Sequence, residues 1–321
     1  MVNWSSLSNY CFPMYDLIII GGGPAGVAAG VYAARKRLKT LFITKDWGGQ
    51  STVSLDIQNW IGTSSIAGPK LASDLRAHLE AYASDVLTIL NGRLATHLIK
   101  NADESSTVTL DDNTTHIARA ILIASGSGRR ALNVPGAAEF EHKGLTYCAS
   151  CDGPLFSGQD VVVVGGGNAG FESAAQLLAY CSSVTLLHRG NTFDKADAIT
   201  VEHVLAHPNM KALTGVTPTA VRGEKFVNAI TYRDAVGTET TLPTAGIFVE
   251  IGMIPNTTYA KGAVAVDALG RIEIDPWTQA TNTPGIWAAG DCTNVKFHQN
   301  NIAAGDAVRA LEDIYLYLMK H

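Results

Sequence analysis

The chain is poor in cysteine and in charge, and it has no long unbroken apolar run. Only five cysteines occur in 321 residues: Cys11, Cys148, Cys151, Cys181 and Cys292. That odd, scattered set excludes the disulfide framework of a small secreted protein. A structural zinc site needs four ligands, but one close cysteine pair is present, with His142 the sole nearby histidine, so no metal is expected. Charged residues make up 17% of the chain and the net charge is -5. A nucleic-acid binder would show a basic face, and this chain has none. Low-complexity tracts and solenoid-length repeats are also missing. The stretch 17–34 is uncharged and long enough to resemble a membrane span. It holds five glycines, however, and splits into strand, turn and helix. No basic segment precedes it, so it does not read as a signal peptide. The expected location is cytoplasmic. The aromatic lead-in (Trp4, Tyr10, Phe12) and the tail 315–318 are candidates for peripheral contact with a membrane or partner.

What is present is apolar residue, 46% of the chain, over a length that suits two domains. Residues 15–20 read as a buried parallel strand, apolar without alternation. A loop follows, Gly21-Gly22-Gly23-Pro24-Ala25-Gly26, then a helix over 25–37 and a strand over 40–44. Another helix is expected over 70–83 and a strand over 118–124. The pattern then restarts. A strand over 160–164 leads to Gly165-Gly166-Gly167-Asn168-Ala169-Gly170, a helix over 171–180 and a strand over 183–188. Residues 247–251 close this unit, and Gly290-Asp291 ends a strand before a helix over 301–319. The fold class is α/β, with two Rossmann-like doubly wound nucleotide-binding domains and the second inserted in the first. The expected boundaries are 1–128 with 257–321, and 129–256.

Each glycine loop follows a strand and opens a helix, which is the context a dinucleotide pyrophosphate needs. In the first, Gly21 allows the tight turn, Gly23 admits the pyrophosphate and Gly26 lets helix and strand close up. Gly165, Gly167 and Gly170 repeat this spacing. Asp46 reads equally as a ribose ligand or as a solvated loop acid. Between the loops stands Cys148-Ala149-Ser150-Cys151-Asp152-Gly153. A CxxC spacing brings two sulfurs together and suits thiol–disulfide exchange. Asp152 reads either as the proton shuttle of that exchange or as a turn or capping residue before Gly153-Pro154. Cys181 and Cys292 read as core thiols, and Cys11 has no assigned role.

These motifs resemble the low-molecular-weight thioredoxin reductase family from Tyr15 to about Leu318. The resemblance rests on both glycine loops, Gly48-Gly49-Gln50, Gln58-Asn59-Trp60, Ala124-Ser125-Gly126, the CxxC segment, the run 248–257 (FVEIGMIPNT) and the run ending at Asp291. It implies FAD on the first loop, with Gln50, Asn59, Gly126, Gly290, Asp291 and Gln299 beside it. It also implies that Cys151 faces the flavin, that Cys148 exchanges with a thioredoxin-like protein, that Asp152 handles the proton, and that the chain is a homodimer. The family's NADPH signature reads His-Arg-Arg with a further arginine close behind. Here only Arg189 remains, with Gly190 and Asp194 at the other two positions. A charge-assisted contact is worth roughly 1.5–3 kcal/mol, so losing two costs about two decades of affinity or more. Gly170 stands where NADPH enzymes have alanine, His298-Gln299 where they have Arg-Gln, and Pro154 in place of an aromatic. The pattern most resembles the NADPH-independent, diflavin-linked disulfide oxidoreductase branch of photosynthetic bacteria, which implies a second FAD. The alternatives are an NADPH-dependent thioredoxin reductase relying on Arg189, and a ferredoxin-dependent flavin thioredoxin reductase.

Overall fold

The computed structural model describes residues 14–54, 56–83 and 85–321. Cys11 and the aromatic lead-in therefore lie outside the described residues. The chain divides into two compact units. The first runs to Thr52 and adds Lys70–Ser127 and Pro255–His321, while the second takes Val53–Pro69 and Gly128–Ile254.

In the first unit, β1 (Tyr15–Gly22) holds Leu17, Ile18 and Ile19 without solvent contact on either face, as a central parallel strand must. Helix α1 (Pro24–Arg35) begins on a proline, whose missing N–H costs nothing at a helix start. Strand β2 (Thr40–Trp47) pairs parallel with β1. Then come α2 (Gly68–Tyr82), β3 (Leu87–Asn91), β4 (Ala95–Lys100), β5 (Ser106–Leu110) and β6 (Thr115–Ile123). The sheet order is β3-β2-β1-β6-β5-β4. β4 and β5 form an antiparallel extension that the sequence pattern did not announce. Alternate residues of β1 feed separate cores. Leu17 and Ile19 pack toward α1, whereas Ile18 and Ile20 join Ile121 and Ile272 on the opposite face.

The chain crosses to the second unit through β7 (Ser127–Arg129) and reaches β8 (Leu145–Thr146) and α3 (Ala149–Asp152). Strand β9 (Asp160–Val164), α4 (Asn168–Leu177), β10 (Ser183–Leu187), α5 (Ala198–Leu205) and β11 (Met210–Leu213) repeat the βαβ arrangement. Helix α4 starts three residues earlier than the 171 expected. Gly167 supplies extended backbone immediately before it, so the helix opens directly from the loop. Strands β12 (Thr217–Gly223), β13 (Val227–Arg233) and β14 (Glu239–Pro243) form a separate antiparallel sheet. β15 (Gly246–Val249) completes the parallel sheet, order β11-β10-β9-β15-β8.

The chain returns through β16 (Met253–Pro255). β17 (Ile286–Ala288) joins β6 in the first sheet, and α6 (Asn300–Lys320) packs on α1. The α/β architecture of two Rossmann-type sheets is the one expected. Among the described residues no helix is long and apolar enough to cross a membrane.

Candidate functional site

The two glycine loops are built alike at their first, third and last glycines. Gly21 and Gly165 adopt φ of +125° and +129°, a region other residues avoid. A Cβ on Gly21 would lie 2.1 Å from the Ala124 carbonyl oxygen, and one on Gly165 would lie 2.2 Å from that of Glu250. Gly26 and Gly170 leave no room either, since a Cβ would come within 1.8 Å of the Gly21 oxygen and 1.9 Å of the Gly165 oxygen. Gly23 and Gly167 are the opposite case, with nothing within 4 Å of an added Cβ. Gly22 and Gly166 are crowded too, by Thr44 and His188, so each loop has three glycines forced by packing and one that faces open space. Gly23 and Gly167 precede α1 and α4 without a side-chain cap. The leading N–H groups of each helix have no intrahelical acceptor, so they remain for an anion.

In the first unit these features border a cavity of about 520 Å³, within the usual size of cofactor sites, about 300–1,000 Å³. The structure brings Gly21, Gly23, Pro24 and Ala25 together there with Asp46, Gln50, Gly126, Gly290 and Asp291. Gly26 lies beneath the loop rather than on the cavity. Gln299 immediately precedes α6. Asn59 falls in the 53–69 segment of the second unit. The cavity wall also includes Arg93 and Asn300, which sequence reasoning missed. Arg93 faces Asp112 at 3.2 Å, and Asn300 Oδ1 accepts from Ser51 Oγ at 3.2 Å. The one sequence signal for Arg93 was a lone cation just past a strand end. An open glycine, helical N–H groups without intrahelical acceptors and a cavity with polar groups such as Gln50, Asp46 and Asp291 on its wall fit the pyrophosphate and ribityl portions of FAD.

The dithiol belongs to the second unit. Cys148 and Cys151 form a disulfide across the single turn of α3. Asp152 does not cap a helix; it precedes a 3₁₀ turn without making a side-chain capping bond. Instead its carboxylate accepts from the hydroxyl of Thr146 and from Ser54 Oγ at 3.3 Å. Burial pushes its pKa up, opposed by these two hydroxyls and by the positive charge of Arg129. A half-buried acid whose pKa burial raises, next to the Cys148–Cys151 pair, is suited to proton transfer. Ser54 is another residue that sequence reasoning did not single out. Cys181 and Cys292 are buried, and burial raises both thiols to about 11, which makes them poor nucleophiles.

Beside the second loop, the turn after β10 is closed by His188. Its ring fills the space above Gly166 and Gly190, where an added Cβ would come within 2.5 and 2.6 Å of ring atoms. His188 Nε2 lies 3.0 Å from the Thr192 carbonyl oxygen, and Phe193 packs edge-on against Phe171. Arg189 is exposed at this turn, and so is Asp194.

Two glycine cradles and a disulfide next to a half-buried acid point to the class of dinucleotide-type disulfide oxidoreductases. Residues 15–307 match the family model described as pyridine nucleotide-disulphide oxidoreductase, and the chain belongs to that family. It is 35% identical to the NADH dehydrogenase of Bacillus subtilis over 96% of its own length and 59% of that protein. It is 38% identical to the F component of alkyl hydroperoxide reductase from Escherichia coli, over 95% of its length and 58% of that protein. The chain thus spans under two thirds of these relatives. Among solved structures it resembles thioredoxin reductase from Streptococcus pyogenes, with a TM-score of 0.86 and 32% identity over 96% of this chain and 99% of that one. It also resembles thioredoxin reductase from Giardia duodenalis, with a TM-score of 0.88 and 29% identity over 95% and 99%. Its fold is thioredoxin-reductase-like.

Proposed function

We propose that the enzyme moves electron pairs between FAD in the first cradle and the Cys148–Cys151 disulfide, makes little use of NADPH, and carries a second FAD on the 165–170 loop. The observation that carries this reading is a disulfide with an adjacent acid in the same unit as a second glycine loop, where the turn after β10 exposes one guanidinium, Arg189, together with the carboxylate of Asp194. A phosphate dianion there meets repulsion where the NADPH signature provides attraction.

Bound at Gly21, Gly23 and the start of α1, with Asp291 and Gln50 at hand, FAD would supply two-electron redox chemistry. The remaining work falls to the protein. Opening the Cys148–Cys151 bond consumes two electrons and two protons and leaves two thiols. Asp152 holds a proton at its carboxyl and gives it to the departing sulfur, and in the reverse direction it takes the proton back. Thr146 and Ser54 fix the orientation of that carboxyl. Cys148 exchanges with a thioredoxin-like or other dithiol protein, and the working form is a cytoplasmic homodimer.

A second reading gives the 165–170 loop to NADH. It is favoured by the name of the Bacillus subtilis relative, NADH dehydrogenase, and by the fact that the missing charges concern only the 2′-phosphate. FAD released per chain, together with stopped-flow reduction, separates the readings. Two FAD per chain with slow reduction by both nicotinamides supports the diflavin enzyme. One FAD with fast reduction by NADH alone selects the second reading. Reduction by NADPH at ordinary turnover rates, about 1–10³ s⁻¹, overturns both in favour of an NADPH-dependent reductase relying on Arg189.

A further inference from the structure

The parallel between the two loops breaks at the strand end on which the first glycine of each leans. In the first unit Gly21 leans on Ala124, and the helix beside it is lined by small apolar residues. In the second unit Gly165 leans on Glu250. The Glu250 backbone continues the sheet by donating its N–H to Val164. Its side chain turns toward α4, where Ser173 Oγ donates to Oε1 at 2.8 Å. Ser173 lies five residues past the start of α4, about 7.5 Å along the axis at 1.5 Å per residue. An ionisable group therefore sits under the second cradle where the first has a methyl.

We propose that the Glu250–Ser173 pair makes ligand binding at the 165–170 loop proton-linked, so that an ADP-containing dinucleotide enters together with one proton taken up by Glu250. The inference rests on the reading of this loop as a dinucleotide site and holds for NADH or FAD alike, because both present the same diphosphate. Burial already raises Glu250 to about 7. Arg129 on β7 and the Ser173 hydroxyl favour the carboxylate, while the neighbouring Glu172 on α4 opposes it. A diphosphate on the helix N-terminus adds negative charge and pushes the group further toward its neutral form. The bound state then holds the proton above neutral pH while the free state loses it. Affinity falls with rising pH over that interval.

The test uses FAD-saturated protein with ADP-ribose as the probe, titrated by calorimetry from pH 6 to 9 in two buffers of different ionisation enthalpy. If the chain retains two flavins, affinity for the second FAD is followed instead. In wild type the Kd should rise about tenfold between pH 7 and 8.5 with proton uptake of up to one. Glu250→Gln should bind with a nearly flat pH profile. Ser173→Ala, which removes a donor to the carboxylate, should move the break to higher pH. Equal pH slopes in wild type and Glu250→Gln would overturn the linkage while leaving the site intact. No binding at any pH in either protein would overturn the dinucleotide reading of the loop as well.

Discussion

Asp152 shows how far single residues could be understood from their neighbours in the chain. Its position beside Cys151 marked it as an acid, but the sequence left its role open because an aspartate before Gly-Pro also suits a turn. The partners of its carboxylate came only from the fold: Thr146, six residues away, and Ser54, 98 residues away. Replacing Asp152 with Asn should slow disulfide reduction by about 10²-fold while FAD content per chain stays unchanged. Thr146→Val removes a hydroxyl that favours the carboxylate, so Asp152 keeps its proton to higher pH. The limb of the pH–rate profile governed by Asp152 should shift upward accordingly. Glu250 affects stability in the opposite manner to an ordinary surface acid. Its folded pKa of about 7 exceeds the usual 4.5, so folding favours the protonated form and stability is lost as pH rises between those values. Glu250→Gln should therefore gain on wild type by on the order of 2 kcal/mol at pH 8 and by almost nothing at pH 4. Urea unfolding at the two pH values measures this.

At the scale of elements, the strand–loop–helix units were legible because buried parallel strands read as unbroken apolar runs and because their loops need glycine. The glycines nonetheless do different jobs. Gly26→Ala must displace backbone 1.8 Å away and should cost about 2 kcal/mol or more. Gly23→Ala meets no atom within 4 Å. It should leave stability within about 0.5 kcal/mol while weakening FAD binding about tenfold, read by reconstitution of flavin-stripped protein. Opposite outcomes for the two would reverse the assignment of the cavity. The antiparallel sheet of β12, β13 and β14 was not legible. Its strands carry many Thr and charged residues, and their apolar positions become a buried face only when the three strands pair.

For the molecule as a whole, the division into two units has an energetic consequence. FAD bound in the 520 Å³ cavity would contact the first unit, so its binding energy would stabilise that unit. Saturation at 100 times Kd is worth about 2.7 kcal/mol. Calorimetry of the flavin-stripped protein should show one unfolding transition moving upward as FAD is added, with the transition of the second unit moving less. Coincident shifts would mean that the two units unfold as one.

The sequence by itself determined the α/β class, the two glycine loops between strand and helix, the CxxC pair, and the lone Arg189 beside Gly190 and Asp194. These are local properties: a period of hydrophobicity, a spacing of glycines, two thiols one turn apart. Only the tertiary structure decided that Ser54 and Thr146 hold Asp152 and that Arg93 and Asn300 line the first cavity. It alone also placed the carbonyl of Glu250 against one loop and that of Ala124 against the other. Those contacts join residues that no spacing relates, because the sheet brings strand ends together in an order that differs from their order in the chain.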